Sequence, residues 1–254
     1  MRNFYPIYRK ELAAYFNSSI AYIVIAVFLI FSGIWFYAQT INFYVTSMQY
    51  AGNPNMQLNL TEQVVSNIIW LMSFFTIFVV PGLTMRLYSE EKKLGTMELL
   101  FTYPVKDIEV VMGKSLACFT VFAVMLGFTL LYPVILVLYG QPEIGPLITG
   151  YVGILVLGFA FIMLGGFLSS LTENQIVAYI LGAGALMLLW VLRYFGDFFA
   201  LKVGEVLSHM STSAYVNNFS TGVLNSKDFI FYADFSIFFI FLTLRSLESK
   251  KWRG

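Results

Sequence analysis

Histidine and cysteine are almost missing from this 254-residue chain, which has one of each, His209 and Cys118. One cysteine excludes an intrachain disulfide framework. So few imidazoles and thiols argue against a zinc or haem centre built from His/Cys clusters. Charge is scarce as well. Asp, Glu, Lys and Arg make up 11% of the residues, where a soluble domain has about 25%. The net charge of +1 carries no signal for nucleic acid. What the chain does have is apolar surface: 59% hydrophobic residues, with 26 Phe. A chain this apolar lacks the polar surface to cover itself in water, so lipid is the solvent that fits.

Spans of about 20 mostly apolar residues are expected at Ile20–Ile41, Val64–Met85, Ser115–Leu138, Leu147–Leu171, Ile176–Leu192 and Phe229–Leu244. The fold class expected is therefore an all-α membrane protein with six transmembrane helices. The first run spans a whole membrane and lacks a clear small-residue cleavage site, so it reads as a retained span rather than a signal peptide. With an even span count, Arg2, Arg9, Lys10, Arg86, Lys92, Lys93, Lys106, Lys114, Arg245, Lys250, Lys251 and Arg253 share one side. Only Arg193, Lys202 and Lys227 fall on the other. Basic loops stay in the cytoplasm, so both termini are expected there.

Between the spans, three segments carry information. Residues 1–19 read as an amphipathic interfacial helix, with Phe4, Tyr8, Leu12 and Tyr15 on one face. Arg9, Lys10 and Glu11 are expected on the other side, toward lipid headgroups, and Asn17-Ser18-Ser19 breaks the helix. Residues 86–114 form a charged loop. In it Glu90, Glu91, Lys92 and Lys93 read as a solvated run that prolongs the second helix. Gly95 reads as a helix stop, and Thr96 as the N-cap of a short apolar helix containing Met97, Glu98, Leu99, Leu100 and Phe101. Pro104 ends that helix, and Asp107 reads as the cap of the next. An exposed apolar helix between charged stretches suits a protein partner. Residues 193–228 form a long outer loop, apolar enough for short helices dipping into the membrane.

Catalytic chemistry is hard to find. Gly113-Lys114-Ser115 resembles the tail of a P-loop, but the first glycine of that motif would fall at Ile108. Lys114 therefore reads as an interfacial charge that helps set topology. Intramembrane proteolysis would need a Ser/His pair, paired aspartates or a zinc motif in the bilayer. Only Asp234 lies clearly inside an expected span. An ionisable residue there is a candidate for a substrate path, or it reaches outer headgroups or water. Gly165-Gly166 and Gly182-x-Gly184 suit close helix packing, within one chain or across a dimer.

The stretch Arg86, Glu90, Glu91, Lys92, Gly95, Thr96, Glu98, Leu99, Leu100, Pro104, Val105 resembles the signature loop of ABC type-2 permeases. Tyr8-Arg9-Lys10-Glu11-Leu12 with Tyr15-Phe16-Asn17-Ser18 is similar to the start of that family. Asn218-Phe219, Gly222-Val223, Asp228, Leu242-Thr243, Leu247-Glu248 and Trp252 are similar to its end. Within the family the resemblance is nearest to gliding-motility type permeases, with nitrous-oxide-reductase maturation permeases beside them. The resemblance covers nearly the whole chain as a single transmembrane domain, residues 1–254. It implies a bacterial cytoplasmic-membrane exporter subunit with an interfacial N-terminal helix and re-entrant helices before span six. It also implies a cytoplasmic coupling helix, formed around Thr96–Phe101, that docks on a separate ATPase. A second permease copy or a related permease would complete a dimer. The chain would hold no cofactor and would not itself be an enzyme, because ATP would be bound and hydrolysed by the partner. Two other readings fit the same residues: a membrane anchor of an ATPase-driven envelope or motility machine that moves no substrate, and a stand-alone channel or secondary transporter.

Overall fold

The computed structural model describes residues 4–50, 59–96, 105–196 and 201–251. Among them the chain is helical, with no strand. Helix α1 is Phe4–Phe16 and α2 is Ser19–Tyr50. A π-helical segment, Thr61–Ser66, runs directly into α3, Asn67–Thr84. Next come α4 (Ser89–Lys93), α5 (Asp107–Phe128), α6 (Leu131–Tyr139), α7 (Ile144–Leu171) and α8 (Gln175–Gly196). The short α9 (Leu201–Met210) and α10 (Thr212–Ser220) precede α11 (Ser226–Lys251).

Among the described residues six stretches are long and apolar enough to cross a membrane: Ser19–Tyr50, Thr61–Lys93, Asp107–Tyr139, Ile144–Leu171, Gln175–Phe195 and Ser226–Ser249. Each contains an expected span and most run further. Apolarity marks only what sits in lipid, whereas helical hydrogen bonding continues beyond it. At 1.5 Å per residue the 32 residues of α2 reach about 48 Å, well beyond a hydrocarbon core of about 30 Å.

The bundle is built around α3 and α7, which are mostly buried, with α2, α8 and α11 on the periphery. Glycines let α7 approach its neighbours. A Cβ on Gly150 would come within 2.7 Å of the Ile69 side chain on α3, and one on Gly153 within 2.5 Å of the Phe219 ring on α10. Gly165 and Gly166 of α7 meet Thr84, Leu87 and Tyr88, and Gly182 of α8 meets Pro81. These small-residue patches therefore pack within one chain. Gly184 has open space around its Cβ position.

The third span bends between α5 and α6. Pro133 has no N–H, so the Thr129 carbonyl four residues earlier loses its helical donor. The Tyr151 hydroxyl donates to that carbonyl at 2.8 Å, and the Tyr132 N–H donates at 3.0 Å. A buried carbonyl in lipid must find a donor, and α7 supplies one.

The two ends of the bundle differ. One gathers α1, α4, the start of α5, the end of α7 and the C-terminal part of α11. There Ser246 of α11 hydrogen-bonds Ser170 of α7 at 2.9 Å. The other end holds the π-helical segment, α9, α10 and the start of α11. Ser66 donates to the Ser220 carbonyl at 2.9 Å, and Thr149 donates to that of Phe219 at 2.8 Å. Residues 201–220 thus form two short helices, α9 packed on α8, and α10 packed on α3, α7 and α8.

Candidate functional site

The charged end of the bundle holds residues 86–96, the first part of the charged loop. Helix α3 stops at Thr84, the chain turns over residues 85–88, and α4 starts at Ser89. Tyr88, the residue before α4, offers no capping side chain. Ser169 of α7 supplies the cap from across the bundle. Its hydroxyl accepts the N–H groups of Tyr88 and Ser89 at 3.2 and 3.3 Å and donates to the Met85 carbonyl at 3.0 Å. Ser169 is fully buried, so Ser169→Ala strands polar groups away from water. We expect it to cost about 1–3 kcal/mol, read as a lower unfolding temperature of the purified protein in detergent. An unchanged transition would show that water reaches this turn.

The charged run in α4 is only partly solvated. Successive residues of a helix point about 100° apart, so a run of four cannot all face outward. Lys93 is exposed, but Glu91 and Lys92 turn toward the bundle. The Lys92 ammonium donates to the carbonyl of Ser170, at the end of α7. Glu91 Oε1 meets Lys114 Nζ at 2.8 Å. Glu90 stays half-exposed and lies 3.8 Å from Arg86.

Lys114 corrects the sequence reading most. It was expected as a charge at the membrane interface, yet its side chain is 2% exposed. Besides Glu91 it binds Glu11 Oε1 of α1 at 2.9 Å, and it sits 5.7 Å from the centre of the Tyr88 ring. One ammonium thus ties together α4, α5 and the distant α1, 103 residues away in the chain. The reason is geometric. Helix α5 starts at Asp107, two turns before Lys114, so Lys114 already lies among packed helices. Asp107 is itself the first helical residue, after Lys106. It favours the helix start through the dipole rather than as the cap.

Glu11 is the second correction. The sequence pattern puts it with Arg9 and Lys10 on the outward side of α1. Those two are exposed, but Glu11 turns in with Tyr8 and Tyr15. A spacing of 4, 8, 11, 15 is as good a helical stripe as 4, 8, 12, 15. This face packs on α5 and α3. Tyr8 and Thr120 hydroxyls are 2.9 Å apart, and the Tyr15 hydroxyl donates to the Leu83 carbonyl at 2.8 Å. Burial pushes the Tyr15 phenol well above its usual range, so it remains a donor. Gly113 allows the close approach, because a Cβ there would lie 2.9 Å from Ile7 Cγ2. Arg86 completes the tie. It donates to the Ser18 hydroxyl and, at 3.1 Å, to the Ala14 carbonyl, and it stacks over the Tyr15 ring at 5.2 Å.

Helix α4 ends where expected. Gly95 has φ +68°, a left-handed conformation that glycine adopts without penalty, and its N–H bonds the Lys92 carbonyl at 3.1 Å. The hydroxyl of Thr96 points back to the Glu91 carbonyl at 3.3 Å. Met97, Glu98, Leu99, Leu100 and Pro104 lie outside the described residues, as does any bond from Thr96 to their N–H groups.

The family model for ABC-2 family transporter proteins matches residues 5–251. The chain belongs to that family. A search of curated proteins gave no match. With its six apolar helices, this ABC-2 family chain is a multi-pass membrane protein, consistent with a permease subunit. The described part of the charged loop before α5, residues 86–96, falls on the bundle end organised by Lys114.

Asp234 stands apart from that end. It is on the exposed side of α11 rather than inside the bundle of described residues.

Proposed function

We propose that this ABC-2 family chain is the permease subunit of a bacterial exporter of the type-2 class, in the cytoplasmic membrane with both termini inside. An ATPase docks under the segment that follows α4. Met97, Leu99 and Leu100 fill a groove in it, and Glu90, Glu98 and the outward lysine Lys93 set the register. A second permease, identical or related, faces the first. Helix α1 lies along the inner surface, with Arg9 and Lys10 toward headgroups, and α9 and α10 re-enter the outer leaflet.

The observation that carries this reading is the ion cluster beside the docking segment. Glu91 lies four residues before Gly95 and is bound to Lys114, which is bound in turn to Glu11. A push on the docking segment that moves α4 is passed on to two further helices, α5 and α1, through charged contacts. ATP-driven closure can move the bundle only if ATP favours one ATPase arrangement over another. A stiff link makes that preference felt in the membrane.

The first test is mild-detergent isolation of the tagged chain from its host. A soluble ATPase in about equal amount is the expected result. Leu99→Asp with Leu100→Asp should cut ATPase recovery at least tenfold while the chain still inserts, since a carboxylate in an apolar groove is strongly disfavoured. A chain that comes out alone, or a double variant that keeps its ATPase, would sink the proposal. The same docking would serve a machine that moves no substrate. Cargo uptake into vesicles separates the two uses.

A further inference from the structure

Helix α11 presents one clean face away from the bundle. Ile230, Ala233, Asp234, Ile237, Phe238 and Phe241 are all exposed and recur at helical spacing. Five of the six suit lipid. The carboxylate does not.

Its depth makes the mismatch sharp. The apolar part of α11 runs from Asp228 to Arg245. Asp234 is about 9 Å in from Asp228 at 1.5 Å per residue, within about 4 Å of the midpoint. If that midpoint sits at the bilayer centre, the Asp234 backbone is on the order of 11 Å below the hydrocarbon surface. An aspartate side chain is too short to snorkel that far. Among the described residues nothing hydrogen-bonds or ion-pairs with it. Ionisable residues at such depth normally face a bundle interior or a partner charge. Here the face points outward, so what completes it comes from outside the chain.

We infer that this face of α11 docks a transmembrane helix of a different protein, one carrying a lysine or arginine at mid-membrane depth, with Asp234 as the anchor. Charge complementarity selects the occupant. A second copy of this chain does not supply it. Its own basic residues lie at helix ends, with Arg193 in the last turn of α8, Lys202 at the start of α9 and Lys227 in the first turn of α11, and Lys114 is buried at the opposite end of the bundle. Ala233 beside the carboxylate is small enough to let another helix backbone approach. The docking face is independent of whether the loop after α4 binds an ATPase.

The test uses the full chain in its native membranes, with a photoreactive phenylalanine derivative at Ile237, one turn from Asp234. The expected result is an adduct with an apolar membrane segment that contains a lysine or arginine. Asp234→Asn should weaken that adduct at least tenfold at unchanged protein level, and Asp234→Glu should retain it. Asp234→Lys combined with the partner's basic residue changed to Asp should restore it. Ala233→Leu keeps the charge but adds bulk to the face, and should also weaken the adduct. Adducts with lipid only, an adduct with another copy of this chain, or an adduct undiminished in Asp234→Asn would each overturn the inference.

Discussion

Lys114→Met should be among the most damaging single substitutions outside the apolar core. It leaves Glu11 and Glu91 facing one another with side chains 13% and 17% exposed and no cation between them. Breaking a buried ion pair from one side costs about 3–5 kcal/mol, because a charge remains without compensation. For a chain of this size that corresponds to an unfolding temperature lower by on the order of 10 °C, measured on the purified protein in detergent. The sign depends on which charge is removed. The buried cluster has two carboxylates and one ammonium, with only the exposed Lys10 4.0 Å from Glu11 besides, so Glu11→Gln relieves its negative excess and keeps the Lys114–Glu91 pair. That variant should be far milder. The triple change Lys114→Met, Glu11→Gln, Glu91→Gln should recover most of the loss, since well-packed neutral groups can replace a buried ion cluster at little cost. Parental stability in Lys114→Met would mean that the ammonium is solvated and that α1 is held by its aromatic face alone.

The same cluster shows why part of this site was hidden in the sequence. Spans announce themselves locally, because about 20 apolar residues in a row have one physical reading. Gly95 likewise announces a helix end, and its left-handed φ is the geometry that glycine tolerates best. The apolar stripe of α1 was legible for the same reason. What local pattern cannot give is which lone charge meets which. Lys114 is 103 residues from Glu11 and 23 from Glu91, and no periodicity links them. Two signals were nonetheless there. Glu11 is three residues after Tyr8 and four before Tyr15, on the apolar stripe rather than opposite it. Lys114 follows the start of α5 by two full turns, too deep to be a boundary residue. Ser169 is the harder case. A serine near a span end resembles any other small residue, and its role as a cap for Tyr88 and Ser89 exists only after α7 has packed on α4.

Helix packing around α7 gives the second large effect. Gly165→Ala should destabilise the bundle, whereas Gly166→Ala, one residue on, should not. A Cβ on Gly165 would run into the Thr84 hydroxyl and lie 2.9 Å from Thr84 Cβ, while one on Gly166 would meet Leu87 and Tyr88 at an ordinary 3.8 Å. Thr84 cannot readily yield. It is β-branched and so stiff at χ1, it is 1% exposed, and its hydroxyl is tied to the Val80 carbonyl at 3.0 Å. Relief must come from moving α7 away from α3, the two helices with the most buried surface. Overpacking of this kind costs about 1–3 kcal/mol, and Gly165→Leu should exceed it. The displacement would also pull Ser169, one turn on, from the backbone groups it caps, so loss of packing and loss of the cap arrive together. Gly184→Ala is the control: no atom lies near its Cβ position, and alanine gains up to about 1 kcal/mol over glycine in a helix. Equal unfolding temperatures for Gly165→Ala and Gly184→Ala would mean that α3 and α7 are not in contact at this level. The Lys114 cluster would then have to hold α4 to the bundle without support from α7.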